Sequence, residues 1–390
     1  MLGFQSITAV TISGAFVFGM LLVLLESLRT MLAKRLNLSE TRLDWLVAAL
    51  NLTLIPMMPI SGILCDDLGV KGVFLVGSLT TVLAVFALAM STTTVRTVGA
   101  ILLAGVGGAC LSTASSVLMS KAFFPDNEPA SQNLGNVFFG LGALVTPGLI
   151  ITLFRRLDYR RAVGVVALLC LLPAFFAAFT EQSEFETIGG AAEWTAMLRN
   201  PIIWLAGLVF LLYGPLEGML SSWATQYLTD RGFRARAAVW FLSGFWFMFL
   251  AARLVTALLQ EQGDLPKNYS GAWLNVGLAL AAAVFLGNMA GARTGTSGAV
   301  GLLLVGAVLG PIFPTLVGML FVHFPHARGT AFGSMFAIGA VGNLVLPPLI
   351  GSYARRRTVQ RALVIAMVIA LLLALVALIF CLCLPLFRDQ

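Results

Sequence analysis

Long apolar runs separated by short polar stretches dominate the pattern of this chain. Each run is long enough to cross a bilayer as a helix, which takes about 20 mostly apolar residues. The runs are too uniformly apolar for the alternating strands of a membrane barrel, so helices are the expected spanning form. The pattern predicts twelve spans, at about residues 7–32, 43–64, 72–90, 98–122, 131–153, 162–180, 202–226, 238–260, 272–290, 298–322, 329–353 and 362–385.

The composition agrees with a chain whose main solvent is lipid. Of its 390 residues, 59% are hydrophobic and 11% are charged, and the mean hydropathy is +0.95. Soluble domains carry about 25% charged residues. The cysteines show no metal-ligand spacing, and we find no nucleophile–base pair or phosphate-binding loop. We therefore expect neither an enzyme nor a bound cofactor or metal.

The two halves of the chain are related in sequence. A shift of 200 residues aligns three distinctive pairs, namely Phe124-Pro125 with Phe324-Pro325, Gly142 with Gly342 and Pro147 with Pro347. A weaker shift of 195 aligns Gly19 with Gly214. Six-helix repeats of the same orientation place a binding site between the halves, near the bilayer midplane. The expected organisation is an N-terminal bundle at 1–180, a linker at 181–201 and a C-terminal bundle at 202–390.

A recognisable motif lies between the second and third spans, from Gly62 to Lys71, and reads Gly-Ile-Leu-Cys-Asp-Asp-Leu-Gly-Val-Lys. Its glycines allow a tight turn and close helix approach, and its carboxylate can cap a neighbouring helix N-terminus. The motif resembles the Gly-x-Leu-x-Asp-x-x-Gly-x-Lys/Arg loop of the major facilitator superfamily. The resemblance implies an all-α integral membrane fold of two pseudo-symmetric six-helix bundles, with a conformational latch at Gly62, Asp66, Gly69 and Lys71.

A finer resemblance links three spans to the fucose–galactose–glucose:proton symporter branch of that superfamily. It is carried by Phe123, Phe124, Pro125, Asn133, Asn136, Gly140, Gly142 and Pro147 in span 5, by Tyr213, Gly214, Glu217, Trp223, Tyr227 and Leu228 in span 7, and by Gly310, Pro311, Phe313, Pro314 and Thr315 in span 10. The resemblance implies a sugar substrate and a coupled proton. Span 4 has hydroxyls where the branch places a carboxylate, which argues against coupling through the branch's usual pair of acids.

Ionisable side chains inside the hydrocarbon indicate function, because their burial is costly. Glu217 of span 7 shares a helix face with Tyr213, Ser221 and Thr225, at a spacing of four residues. This polar face should line a cavity. Glu217 could then bind a solute hydroxyl, carry a proton, or form a purely structural pair with Arg253 of span 8.

A second carboxylate, Glu26, lies about two-thirds along span 1. It could be a proton carrier, or it could reach the headgroup region beside Arg29. Arg253 of span 8 resembles an arginine that is usually structural in the symporter branch, and contact with substrate is the alternative. The candidates for proton coupling are therefore Glu26 and Glu217.

Amide and aromatic side chains complete the set of candidate substrate ligands. An amide offers a donor and an acceptor, which suits paired sugar hydroxyls, but the same group can also join two helices. A tryptophan can stack on a sugar ring or anchor a span at the membrane interface. Besides Glu217 and Tyr213, the expected substrate ligands are Asn51, Asn133, Asn136, Asn343 and Trp223.

Basic residues are distributed unequally between the two faces of the predicted topology. The loops after odd-numbered spans carry 17 Lys and Arg residues, whereas the termini and the other loops carry 6. The positive-inside rule would place the odd-numbered loops in the cytoplasm. The superfamily instead has the loop from Gly62 to Lys71 in the cytoplasm, on the opposite side. We expect the family topology to prevail, with cytoplasmic termini.

The sequence as a whole predicts a secondary active transporter that moves a small polar solute, a sugar, by alternating access with proton coupling. We expect a monomer of the inner or plasma membrane whose partners are the solute, protons and the bilayer. No nucleic acid is expected, because the net charge of +7 lies in loops that meet lipid headgroups. Two alternatives stay open: a transporter of amino acids, drugs or other organic solutes, and a non-transporting receptor or complex subunit of the same fold.

Overall fold

The computed structural model describes residues 6–186, 194–263, 270–356 and 358–387, and in these residues the regular structure is helical, with no strand. The elements are α1 (Ser6–Leu36), α2 (Glu40–Leu68), α3 (Val70–Met90), α4 (Thr94–Ala122), α5 (Glu128–Phe154), α6 (Tyr159–Leu169), α7 (Leu172–Phe179), α8 (Gln182–Phe185), α9 (Trp194–Met197), α10 (Pro201–Thr229), α11 (Ala235–Gln262), α12 (Ser270–Gly291), α13 (Gly295–Leu309), α14 (Ile312–His323), α15 (Arg328–Arg356) and α16 (Val359–Cys383), followed by a 3₁₀ turn at Leu384–Phe387. Twelve segments of this part of the chain are long and apolar enough to span a membrane, which confirms the predicted number.

Two of the predicted spans are interrupted rather than continuous. The sixth consists of α6 and α7, with the break just before Pro173, and the tenth consists of α13 and α14, with the break at Gly310 and Pro311. Proline has no backbone N–H and its ring collides with the preceding turn, so a helix commonly breaks there. Both interrupted segments are still long enough to cross a bilayer once.

Side-chain caps set the beginnings of several helices. In each case an oxygen of the residue before the helix accepts from a backbone N–H of the first turn, which would otherwise have no helical acceptor. The capping residues are Thr93 for α4, Asn127 for α5, Asp158 for α6, Asn200 for α10, Thr294 for α13 and Thr358 for α16. These caps explain why the observed helices begin a few residues before the predicted apolar runs.

The described residues fall into two compact units. Unit 1 contains Met1–Trp194 and Phe324–Ala337, and unit 2 contains Thr195–His323 and Ile338–Gln390. Helix α15 therefore contributes its first turns to unit 1 and its remainder to unit 2. The bundles at 1–180 and 202–390 were predicted from the repeat in the sequence. A grouping by contacts does not test that repeat, so the two bundles stay a prediction.

The same helix crossing occurs in each unit. In unit 1, Gly142 of α5 lies against the Phe16 carbonyl of α1, so close that a Cβ there would collide with it. In unit 2, Gly342 of α15 lies in the same way against the Leu211 carbonyl of α10. Glycine permits such contact between helix backbones. The shifts of 200 and 195 residues found in the sequence thus describe one repeated crossing.

The first residues of the linker are anchored to unit 1. The Glu184 carboxylate accepts from Ser6 Oγ at 2.5 Å and from the backbone N–H of Ile7 at 3.0 Å, at the N-terminus of α1. Lys121 donates to the carbonyl of Ser183 at 3.0 Å. A carboxylate at a helix N-terminus is favoured by the helix dipole. This part of the linker therefore packs as an extension of unit 1.

Candidate functional site

Arg253 of α11 is fixed inside unit 2 by the break in the tenth span. Its residue surface is 2% exposed, its Nε donates to the Gly310 carbonyl at 2.8 Å, and its guanidinium carbon lies 4.4 Å from the Phe249 ring centre. In a continuous helix the Gly310 carbonyl would accept from residue 314, but Pro314 has no N–H. The arginine therefore satisfies a carbonyl that the sequence leaves without its helical partner.

Glu217 of α10 lies beside this arginine. Its carboxylate interacts with the Arg253 guanidinium and with the Tyr213 hydroxyl one turn earlier, and the residue keeps part of its surface exposed. The Tyr213 hydroxyl is close enough to Glu217 and Arg253 for polar interaction. In the described part of the chain, however, no partner completes a well-formed hydrogen bond with this buried hydroxyl. The cluster thus combines a carboxylate, a cation and a hydroxyl, and retains hydrogen-bonding capacity at Tyr213.

A packed group of aromatic rings adjoins this polar cluster, and of its members Phe313 keeps part of its surface exposed while Phe210 and Tyr213 are buried. The ring centres of Phe210 and Phe313 are 4.9 Å apart, and those of Tyr213 and Phe313 are 6.3 Å apart with the rings within 15° of parallel. Flat rings of this kind pack against the apolar face of a cyclic solute. The same corner of unit 2 therefore offers both apolar contact and polar recognition.

Two more of the expected substrate ligands lie in unit 2. Asn343 of α15 is exposed, and its amide fills the space beside Gly214, where a Cβ would come within 2.5 Å of the amide oxygen. Gly214 directly follows Tyr213, so the amide is next to the polar cluster. Trp223 is half-buried on α10, about one and a half turns beyond Glu217. The structure therefore brings Tyr213 and Glu217 together, places Asn343 against α10 at Gly214, and leaves Trp223 further along the helix.

The candidate amides of unit 1 make contacts within the protein. Asn133 and Asn136 of α5 are buried, and their amides donate to the carbonyls of Pro129 and Gln132, one turn earlier, each at 2.9 Å. The Gln132 amide donates to the Ser116 carbonyl of α4 at 2.7 Å. These two bonds of Asn133 and Asn136 stay within α5, whereas that of Gln132 joins α5 to α4, the competing role for amides in membranes. Substrate binding by Asn133 and Asn136 stays a prediction.

Glu26 and Asn51 lie on the surface. The Glu26 carboxylate is 58% exposed and 3.5 Å from the Arg29 guanidinium, which also contacts the Asp44 carboxylate at 2.6 Å. An exposed Glu26 beside Arg29 is the arrangement expected if this carboxylate reaches the lipid headgroup region. Asn51 is exposed on α2. Neither residue is enclosed, and their roles in coupling and binding stay predictions.

The motif carboxylate, Asp66, caps the start of α15. It accepts from the backbone N–H groups of Gly329 at 3.0 Å and Thr330 at 2.7 Å, and from Thr330 Oγ1 at 2.7 Å. Gly62, one turn before it, lies directly against the Gly329 backbone. The cap supplies acceptors to N–H groups that have none in the helix, and it places negative charge at the positive end of the helix dipole.

The other two motif residues shape the turn and anchor the neighbouring segment. Gly69 has φ +90°, a backbone conformation that residues with a side chain rarely adopt. Lys71 donates from Nζ to the carbonyl of Thr180 at 2.7 Å and lies 5.1 Å from the Phe185 ring centre. The lysine therefore caps the end of α7, since a cation near the last carbonyls of a helix is favourable.

An ion pair that the sequence reasoning missed lies beside this cap. Arg328 Nη2 is 2.5 Å from Glu128 Oε1, and the side chains are 17% and 9% exposed. Glu128 is the first residue of α5 and Arg328 the first of α15. The sequence did contain a signal for this pair. Glu128 and Arg328 are equivalent under the shift of 200 residues, so opposite charges stand at matching helix starts.

The polar groups of these sites are hydrogen-bonding groups. Among the described residues, no group of three or more His, Cys, Asp or Glu side chains could hold a metal ion. The groups that come together in unit 2 are a carboxylate, a guanidinium and a hydroxyl. Such groups recognise polar solutes through hydrogen bonds.

The fold is that of a multi-pass membrane protein, with twelve segments in the described residues that are long and apolar enough to span a bilayer. A family model described as the Major Facilitator Superfamily matches residues 7–347. The chain belongs to this superfamily, whose members are transporters rather than enzymes. The superfamily assignment, the all-helical membrane fold and the transporter class predicted from the sequence are thereby confirmed.

Two sequence relatives and three solved structures are similar to the chain. The proposed niacin/nicotinamide transporter NiaP of Bacillus subtilis is 24% identical over 82% of this chain and 81% of its own length, and the uncharacterized MFS-type transporter YfkL of the same organism is 22% identical over 90% of each. The transporter FucP in the outward conformation has a TM-score of 0.78 at 17% identity, covering 99% of this chain and 100% of its own. The proton:xylose symporter XylE has 0.77 at 14% identity, covering 95% and 94%, and the human organic anion transporter MFSD10 has 0.74 at 16%, covering 97% and 100%. At these identities the structures are evidence for the fold alone.

Proposed function

We propose that this transporter carries a small polar solute, a sugar, together with a proton, and that Glu217 is the coupling carboxylate. The observation that carries the proposal is the partly buried Glu217 beside Arg253 and Tyr213 in membrane-spanning helices. A carboxylate in that position changes its charge when it takes up a proton, and this alters its attraction to the adjacent cation. The change in attraction gives a physical link between protonation and binding.

Recognition of the solute would come from groups in the same corner of unit 2. Tyr213 and Glu217 can hydrogen-bond solute hydroxyls, and the amide of Asn343 can both donate and accept. The Phe210 and Phe313 rings would pack against the apolar face of a sugar ring. The fold shared with FucP and XylE, described as symporters of fucose and xylose with protons, supports the choice of a sugar.

The proposal also gives roles to the other candidates from the sequence. We include Asn133, Asn136, Asn51 and Trp223 among the substrate ligands, with Glu26 as a second candidate for proton coupling. In alternating access, Asp66 would hold α15 in one state and release it in the other. Gly62, Gly69 and Lys71 would shape and anchor that latch.

The membrane setting is part of the proposal. We place the chain in the inner or plasma membrane as a monomer with cytoplasmic termini, following the superfamily resemblance of the loop from Gly62 to Lys71. The basic odd-numbered loops argue for the opposite orientation. Labelling of single cysteines introduced at Arg160 and at Asp126, in intact cells, tests this topology. Labelling of the first position alone supports cytoplasmic termini, and labelling of the second alone contradicts it.

A second candidate is an organic anion with an aromatic ring, and Arg253 is the observation that favours it. A carboxylate of the solute could exchange with Glu217 as the partner of the arginine, while the Phe210 and Phe313 rings contact its aromatic part. The niacin/nicotinamide and organic anion transporters among the relatives fit this chemistry. Protonation of Glu217 would then favour anion binding, which again couples solute to proton.

Uptake into proteoliposomes tests both candidates. If the solute is a sugar, we expect a proton gradient to drive accumulation of a hexose or pentose. If the solute is an aromatic anion, we expect the gradient to drive accumulation of nicotinate instead. Glu217→Gln should abolish accumulation but retain exchange of labelled for unlabelled solute, since exchange needs no net proton movement. Glu261→Gln, an exposed carboxylate at the end of α11, is the matched control and should transport normally. Full accumulation by Glu217→Gln would exclude this residue as the coupling group.

A further inference from the structure

An open groove of about 540 Å³ lies on the surface of unit 2, between the end of α12 and the start of α13. One part of its lining is apolar and includes Phe285, Val300 and Leu304, of which Val300 is 50% exposed and Leu304 37% exposed. The other part is polar and includes Asn288, Arg293, Thr296 and Ser297. The groove therefore joins a polar corner directly to an apolar surface of the kind that meets acyl chains.

The polar corner carries an uncompensated positive charge. Arg293 is exposed, and none of the described carboxylates lies within ion-pair distance of it. The corner also contains the N-terminus of α13, where the Thr294 hydroxyl accepts from the Ser297 N–H at 3.2 Å. The remaining N–H groups of this first turn have no acceptor in the helix. Both features favour a negatively charged ligand.

Arg293 is not needed to cap the preceding helix. The last carbonyls of α12 already accept from other side chains: the Met289 carbonyl from Tyr227 Oη at 2.7 Å, the Ala292 carbonyl from Arg231 Nη2 at 3.4 Å, and the Ala290 carbonyl from Gln360 Nε2 at 2.6 Å. The negative end of α12 is thus satisfied by these donors. The charge of Arg293 remains available to a ligand in the groove.

Unit 1 contains a smaller groove at the equivalent place. Its volume is about 380 Å³, and it lies between the end of α3 and the start of α4, with Ser91 and Arg96 at its polar corner. The shift of 200 residues matches four lining positions of the two grooves, at 87, 91, 96 and 100 and at 287, 291, 296 and 300. The end of α3 is also capped by an arginine, since Arg35 Nε donates to the Ser91 carbonyl at 3.0 Å.

We propose that these grooves bind membrane phospholipids with anionic headgroups, with the groove at Arg293 as the principal site. The headgroup phosphate would contact Arg293, Thr296 and Ser297, and an acyl chain would lie along Val300 and Leu304. Basic pockets between membrane helices suit such headgroups. A lipid fits better than free phosphate because the polar corner continues into an apolar surface.

Native mass spectrometry of the purified full chain, titrated with phosphatidylglycerol or phosphatidylcholine, tests this proposal. We expect retained phosphatidylglycerol, and a several-fold lower bound fraction for Arg293→Gln. Arg236→Gln is the matched control, because Arg236 is an exposed arginine in the first turn of α11 and lies outside the groove lining. Arg96→Gln should lower binding at the second site. Val300→Asn keeps the charge and should weaken lipid binding through the acyl contact.

Several outcomes would overturn the proposal. If Arg293→Gln and Arg236→Gln lost phosphatidylglycerol binding equally, the lipid would be attracted to the basic face as a whole and not to the groove. Equal retention of both lipids, unchanged in Arg293→Gln, would mean that the groove does not select headgroups. Binding of glycerol phosphate as strong as that of the lipid would exclude the acyl contact. A thermal unfolding midpoint measured without lipid controls for misfolding, and Arg293→Gln should leave it unchanged.

Discussion

Glu128 and Arg328 occupy equivalent positions in the two sequence repeats, 200 residues apart, and their side chains pair with each other at 2.5 Å. Each is the first residue of its helix. Arg328 directly precedes the two residues whose N–H groups Asp66 caps. Two acidic residues therefore hold the start of α15. Glu128 pairs with the Arg328 side chain, and the Asp66 carboxylate accepts from the backbone N–H groups of Gly329 and Thr330.

Breaking the Glu128–Arg328 pair should destabilise the protein. Removal of one partner of a buried pair costs about 3–5 kcal/mol, and partial exposure of Arg328 puts Glu128→Gln at the lower end of that range. We expect a lower midpoint of thermal unfolding in detergent. The exchange Glu128→Arg with Arg328→Glu should recover part of the loss. Equal midpoints for the Glu128→Gln variant and the parent would contradict the role assigned to this pair.

The Asp66 cap gives a graded prediction. Loss of a helix cap costs about 1 kcal/mol, and loss of a hydrogen bond to a charged group about 1.5–3 kcal/mol. Asp66→Ala should therefore lower the unfolding free energy more than Thr330→Val, which removes only the hydroxyl donor. Asp67→Asn is the matched control, because Asp67 is exposed and adjacent. If Asp67→Asn were as damaging as Asp66→Ala, the effect would reflect general loop charge instead of the cap.

The repeated helix crossing predicts a strong effect of one added methyl group. A Cβ at Gly142 would collide with the Phe16 carbonyl, whereas a Cβ at Gly148 on the same helix meets nothing within 4 Å. Overpacking costs about 1–3 kcal/mol, while Gly→Ala at an open helical site gains up to about 1 kcal/mol. Gly142→Ala should therefore lower the unfolding midpoint and Gly148→Ala should preserve or raise it. The reverse order would show that α1 and α5 do not meet at Gly142.

The sequence was sufficient for the fold because the bilayer imposes helix length and apolarity on every span. The glycine pairs were visible as a repeat, since both crossings need the same small residue. The site was harder to predict, because polarity alone does not show which way a side chain faces. Asn133 and Asn136 are an example: their amides donate to carbonyls of their own helix, and whether they also bind a solute stays a prediction.

The position of Arg253 illustrates what could have been inferred and was not. Pro314 leaves the Gly310 carbonyl without a helical donor, and this is legible in the sequence. Which side chain supplies the missing donor depends on the packing of α11 against α13, and no local pattern contains that information. Glu128 and Arg328 were missed for a similar reason, since both lie at span ends, where charges are ordinary.

The last prediction separates the two functions of Arg253. Its Nε satisfies the Gly310 carbonyl, while its charge acts on Glu217. Arg253→Lys keeps the charge but replaces the planar fork by a point donor, so we expect reduced stability with proton coupling preserved. Arg253→Met removes both, leaving Glu217 without its cation, and should abolish coupled accumulation. Combining Arg253→Met with Glu217→Gln removes the unpaired charge but still leaves the Gly310 carbonyl without its donor, so it should recover part of the lost stability without recovering proton-driven uptake. Proton-driven uptake in that double variant would show that coupling resides elsewhere, with Glu26 the next carboxylate to test.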